Sequence, residues 1–256
     1  MSFFKKALAS IGIGGAKVNA IFHQQTVTAG SDVSGVIQIK GGGVAQQIEK
    51  IGLMVMTQYE TESDDRKVTV NALVQKVDIN LRIDLQPGDE REIPFSFCLS
   101  PYTPVSIGHT PVWVQTELEV DMAIDPSDTD HLQVQPHPNM AAVMEAIDQL
   151  GFRLYKVKNE ASRAGRGVPF IQNFEYKPTR HFQRSLDELE VAYLPESGGI
   201  DLLLEIDRKA RGLSGLLLEA ADMDETRIRL SLSQQEIAQG TAYLAERLKQ
   251  VIEDFS

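Results

Sequence analysis

The stretch VDINLRIDLQPGDEREIPFSFCLSPYTPV, residues 77–105, decides how the chain is read. Leu81, Ile83 and Leu85 alternate with Arg82 and Asp84, Pro87 and Gly88 interrupt the run, and Ile93, Phe95, Phe97 and Leu99 then alternate with Pro94, Ser96 and Cys98. A period of two on each side of a turn marks two strands, each with one apolar face turned to a core. Pro94 has no backbone N–H to donate, so the second strand lies at a sheet edge there or begins there. The stretch predicts a hairpin of a β-sandwich and names no chemistry.

Toward the N-terminus the same signal repeats. Val18, Ala20 and Phe22 alternate, Ala29-Gly30 turns, Val33, Gly35, Ile37 and Ile39 follow, and beyond a loop at 41–43 come Ile51, Leu53 and Val55. The polar residues 61–67 read as a loop, after which Val68, Val70, Ala72 and Val74 resume the alternation. Toward the C-terminus, Val112, Val114, Thr116, Leu118, Val120, Met122 and Ile124 face one way while Trp113, Gln115, Glu117, Glu119 and Asp121 face the other, as in a long strand with a wet face. Short strands separated by turn chemistry indicate a sandwich or barrel rather than a parallel α/β sheet. Residues 125–131, DPSDTDH, read as a turn closing the long strand. Their three carboxylates and one histidine lack the turn glycine and distal glutamate of a calcium loop, so solvated turn aspartates are expected.

Gln135-Pro136-His137-Pro138 is the expected domain boundary, because its prolines bar helix from the residues before them. Asn139 then caps a helix with Met140, Val143, Met144, Ile147 and Leu150 on one face and Gly151 at its end. Strand signals return at Phe170, Gln172 and Phe174, and again at Leu189, Val191 and Tyr193 between Glu188 and Glu190. A loop at 195–199 leads into Ile200, Leu202, Leu204 and Ile206, a predicted hairpin with Asp201, Glu205 and Asp207 outside. A second loop runs through Gly212 and Gly215, and Ile228, Leu230 and Leu232 between Arg227, Arg229 and Ser231 form one more strand. Ser233 and Glu236 make a capping box, with Leu232 and Ile237 spaced as its hydrophobic staple. The final helix puts Ile237, Leu244, Leu248, Val251, Ile252 and Phe255 on one stripe, which packs on the second sandwich or docks on a partner or a second copy.

The chain has 256 residues, enough for two domains, and an ordinary globular composition. No apolar run reaches membrane-spanning length, and residues 1–17 lack the apolar core of a leader, so a cytoplasmic location is expected. The lone Cys98 excludes an internal disulfide and fits a reducing compartment. A formal net charge of −11 opposes sequence-independent nucleic-acid binding and attraction to anionic lipid. Phe3, Phe4, Lys5 and Lys6 could form a weak membrane foot, or the segment packs on its own domain. Gly12, Gly14 and Gly15 before Lys17 lack phosphate-loop spacing. The five histidines, His23, His109, His131, His137 and His181, are scattered, and no metalloprotease, hydrolase or paired-cysteine motif is present.

TVTAGSDVSGVIQIKGG, QPGDEREIPFSFCLSPYTPV and VWVQTELEVDMAIDPSDTDHLQV, on either side of the proline boundary with a second β region, resemble the arrestin-like fold. More narrowly, MSFFKKALASIGIGGAKV, HPNMAAVMEAIDQLGFRL, FIQNFEYKP, LDELEVAYLP and IDRKARGLSG, in this order, resemble the sporulation-control SpoOM-like family of bacteria. The resemblance implies a cytosolic, non-enzymatic regulator, and it brings no catalytic, cofactor or metal residues to transfer.

The expectation is therefore an all-β chain of two consecutive arrestin-like sandwiches, 1–135 and 136–232, with a helix at the junction and an amphipathic helix over 233–256. Its expected role is protein binding through strand edges, the groove between domains, or the terminal helix at Ile237, Leu244, Leu248, Val251 and Phe255. No cofactor and no nucleic acid is expected. The alternatives are a peripheral membrane organiser using the foot and, behind it, a ligand-binding protein or enzyme.

Overall fold

The computed structural model describes residues 15–63, 66–121, 125–209 and 225–255. The proposed foot at Phe3, Phe4, Lys5 and Lys6, the glycines Gly12 and Gly14, the end of the long strand at Met122 and Ile124, and the loop at Gly212 and Gly215 lie outside these residues. Strands dominate what is described, as the period-two pattern predicts, and the chain divides into two compact units.

The first unit holds the chain up to Gln58, Asn71–Ser106 and Pro111–Gln135. One of its sheets has the order β1-β3-β6, formed by Lys17–Phe22, Asp32–Lys40 and Glu90–Cys98. The other carries β2 (Thr26–Thr28), the first part of β4 (Gln46–Ser63), most of β5 (Arg66–Leu85), β7 (Val112–Val120) and β8 (Ser127–Gln135). β4 pairs antiparallel with β7, and β5 also pairs with β4. Ile37 and Phe95 from the first sheet share a buried core with Leu53, Val114 and Leu118 from the second. Full burial of each such aliphatic side chain is worth about 1.5–3 kcal/mol, which is what holds the sheets face to face.

The decisive stretch divides between these sheets. β5 and β6 follow one another across a tight turn, but β5 pairs with β4 while β6 pairs with β3, so they are not the hairpin that the alternation predicts. Period two reports which face is apolar, and both strands do turn that face to one core, from opposite sides. The turn is held by the Asp89 N–H donating to the Gln86 carbonyl at 3.0 Å, with Gly88 at φ 78°, a conformation that costs glycine nothing. Pro94 lies on β6, opposite Val36 of β3, and among the described residues β6 is an end strand of its sheet, the place where a residue without a backbone donor is tolerated.

Parts of two segments expected as loops are strand. Of the loop expected at 61–67, residues 61–63 end β4 and residues 66 and 67 begin β5, two exposed strand ends, while Asp64 and Asp65 lie outside the described residues. The expected turn at 125–131 is strand from Ser127 onward, because Ser127, Asp128, Thr129, Asp130 and His131 pair in register with β7. Asp and Ser are poor strand formers alone, and the ladder to β7 overrides that preference.

The second unit holds residues 59–70, 107–110 and everything from Pro136 onward. The end of β4 pairs there, Glu60 with Glu160, and its sheet continues as β9-β10-β11-β12-β13, formed by Phe152–Ala161, Phe170–Pro178, Leu186–Glu196, Gly199–Arg208 and Glu225–Ser233. Helix α1 spans Pro138–Gln149 and packs on β9 and β12. Its N-cap is His137 rather than Asn139: the imidazole Nδ1 accepts the Asn139 N–H at 3.2 Å, and Pro138 fits the first turn. Asn139 is buried one residue in, its side-chain amide donating to Gln234 at 2.9 Å. Gly151, at φ 84°, follows the helix end as expected.

The predicted terminal helix is two helices. Ser233 and Glu236 form both bonds of the capping box on a short α2, Gln234–Ile237. Gly240 at φ 92° then redirects the chain into α3, Thr241–Asp254, which packs on α1.

Candidate site on the outer face of the second sheet

Strand registers in the second unit set two kinds of rows across the sheet. One row, Val157, Phe174, Val191 and Leu204 on successive strands, is apolar and buried. The residues beside it in sequence point the other way and make the rows Lys156, Glu175, Glu190, Glu205, Arg227 and Lys158, Asn173, Ala192, Leu203, Arg229. This second face carries a hollow of about 730 Å³, lined among others by Lys158, Asn173, Glu190, Glu205, Arg227 and Arg229.

Most charges around the hollow are answered by a neighbour. Lys158 Nζ lies 2.6 Å from Glu160, and Arg227 bonds both oxygens of Glu205, at 2.9 and 3.2 Å. Burial works against the Lys158 cation, but the Glu160, Glu190 and Glu60 carboxylates outweigh it and raise its pKa. Glu175 is met by Lys177 at 3.3 Å. Glu190 is different: its hydrogen bond comes from the neutral amide of the buried Asn173, and among the described residues no cation reaches it within ion-pair distance. Burial accordingly pushes the Glu190 carboxyl above the ordinary glutamate range, against the Asn173 hydrogen bond and the Lys158 charge.

Beside the hollow, Asp201 departs from expectation. Alternation placed it outside the hairpin, and it is 5% exposed. Arg229 lies 2.5 Å and Arg166 3.1 Å from its carboxylate, and Arg166 also reaches Glu196. Burial raises the Asp201 pKa, yet hydrogen bonds donated by Ser231 and Arg229, with the Arg229 charge, overcome it and leave the carboxyl below its usual range. Arg166 comes from the β9–β10 connection, so this cluster ties that loop to β12 and β13. No alternation pattern can announce such a bridge, because its partners lie far apart in sequence.

The residues singled out by sequence do not converge. Ile237, Leu244, Leu248 and Val251 are buried in the second unit's own interior, which leaves no open stripe, while Phe255 is half exposed. Cys98 is exposed on β6. His131 lies 6.2 Å from Trp113 between ring centres, His23 hydrogen-bonds Ser34, His137 caps α1, and His181 faces Glu253 at 3.6 Å. Among the described residues no three His, Cys, Asp or Glu side chains are grouped to hold a metal ion. No helix among them is long and apolar enough to cross a membrane. The hydroxyls of Tyr176 and Tyr193 meet at 2.7 Å in the interior, where burial raises both pKa values and keeps the phenols protonated. The glutamate row escaped sequence reading because its members sit on three strands; the available signal was one glutamate between apolar residues on each of them.

The comparisons agree with this architecture. The family model described as SpoOM protein matches residues 4–210. The chain is 38% identical to the sporulation-control protein spo0M of Bacillus subtilis (strain 168) over 258 aligned positions, covering all of both chains. The crystal structure of Spo0M from Bacillus subtilis superposes with a TM-score of 0.84 at 36% identity, over 95% of this chain and 100% of that one. With the whole length matched in sequence and nearly all of it in structure, the chain belongs to the SpoOM protein family.

Proposed function

We propose that this chain is a non-enzymatic cytoplasmic regulator of sporulation-control type that works by binding other proteins, with the outer edge of β13 and the adjoining hollow as its docking surface. The regulatory part rests on the full-length similarity to a protein named for sporulation control. The binding part is carried by one observation: among the described residues β13 pairs with β12 alone, so its nine residues present a free edge at the end of the sheet. A free edge offers backbone donors and acceptors to an added strand, and the side chains beside it give selectivity. Arg227, with its side chain 75% exposed, holds the rim charged and discourages indiscriminate edge-to-edge pairing.

The test is complementation. Bacillus subtilis cells lacking their own relative of this chain are given the chain, and heat-resistant spores are counted. Restored counts, together with a co-purifying protein cross-linked to the second unit, are the expected outcome. Unrestored counts with a folded, expressed chain contradict the regulatory reading.

A further inference from the structure

We propose that the hollow receives a basic side chain from a partner protein, a lysine or arginine whose cation settles on Glu190 between Glu175 and Glu205. This deepens the protein-binding reading and rests on it. The inference starts from the registers: Glu175 stands opposite Glu190, and Glu190 opposite Glu205, so three glutamates occupy neighbouring places on three adjacent strands. Like charges directly opposite one another destabilise a sheet unless a cation intervenes. The outer two have their cations, Lys177 for Glu175 and Arg227 for Glu205. The middle one has an amide. Asn173, 9% exposed, donates its side-chain N–H to Glu190, which fixes the carboxylate in place without neutralising it.

The wall of the hollow explains why the missing cation comes from outside. Lys158 is engaged by Glu160, Arg227 by Glu205 and Arg229 by Asp201, so each nearby cation already has its own carboxylate. A volume of about 730 Å³ exceeds what one side chain fills and suits a short extended segment. The free edge of β13 borders the same face, so a segment approaching that edge can cross the hollow with a lysine or arginine turned toward the sheet. An ammonium or guanidinium there forms a charge-assisted hydrogen bond in partly desolvated surroundings, the kind that discriminates strongly against a neutral side chain.

The test uses the full chain and fluorescein-labelled nonapeptides of alternating serine and lysine, with a serine and norleucine series as the neutral probe, at low ionic strength and neutral pH. Anisotropy is expected to show saturable binding of the lysine peptide, weakened about tenfold or more by Glu190→Gln, and little binding of the norleucine peptide. Glu190→Gln keeps an oxygen for the Asn173 amide, and thermal unfolding confirms that it folds; Glu190→Asp, which keeps the charge but withdraws it, should lose less affinity. Equal affinity for wild type and Glu190→Gln would assign the binding to the net charge of the chain and overturn the proposal. So would saturation by free spermidine without any by the peptide, which would make the site a polyamine site. Restored spore counts with the Glu190→Gln chain would overturn the cation seat while leaving the regulatory reading in place.

Discussion

Glu190 and Glu205 face each other across β11 and β12 as direct register partners, and only Glu205 has a cation of its own, Arg227. The sheet therefore carries at its middle a carboxylate with no ion pair of its own, on which Lys158 acts only from beyond ion-pair distance. Burial raises the Glu190 pKa, so the native state holds that proton more tightly than the unfolded chain does. Its contribution to stability is present at low pH and lost as pH rises through the native pKa. Glu190→Gln removes the charge and should raise the thermal midpoint at neutral pH, with the gain shrinking toward acid. Thermal unfolding across a pH series checks both the sign and the trend.

Asp201 makes the opposite case. Its carboxylate is buried, lies against two guanidiniums and is held below the ordinary aspartate range. Stability from it is present above the usual carboxylate pKa and lost as pH falls through the lowered one. Asp201→Ala frees Arg229 and leaves Arg166 to Glu196, and both guanidiniums still touch water, so the expected cost is about 2 kcal/mol rather than the larger penalty of a fully enclosed pair. Urea unfolding measures it, and faster proteolysis of the β9–β10 loop, from which Arg166 comes, should accompany it.

In the first unit Asp128 and Asp130 lie on the same side of β8, and the Ala20 N–H of β1 donates to Asp128 at 2.8 Å. Burial and the Asp128 carboxyl push Asp130 up to about 6, against a small opposing effect of His131. A raised carboxyl favours the native state at low pH and ceases to do so as pH rises through that value. Asp130→Asn should flatten this dependence and stabilise the unit by about 1 kcal/mol above neutrality, a modest figure because the carboxyl is partly in water. Unfolding midpoints compared at about pH 5 and about pH 8 decide it.

These pairs show what sequence alone could carry. The alternation around Leu81 to Leu85 and Ile93 to Leu99 was enough to place two strands and their apolar faces, because period two follows directly from backbone geometry. It could not say that β5 and β6 belong to different sheets, since pairing depends on β3 and β4, which lie far away in sequence. The capping box at Ser233 was legible because all its partners lie within three residues. Asp201 was misplaced because alternation assigns a face and not a depth, and its depth comes from Arg166 and Arg229. The Glu175, Glu190 and Glu205 row exists only once three registers are known.

The most direct measurement is site-specific photo-cross-linking in sporulating cells, with a benzophenone amino acid in place of Arg227 on the β13 edge or of Tyr155 on β9. Both positions are exposed in the second unit, with side chain or residue 75% and 70% accessible respectively. Docking at the β13 edge and hollow predicts a discrete protein adduct from position 227 that position 155 does not give. Equal adducts from both positions, or none from position 227 in cells whose spore counts the chain restores, would contradict it.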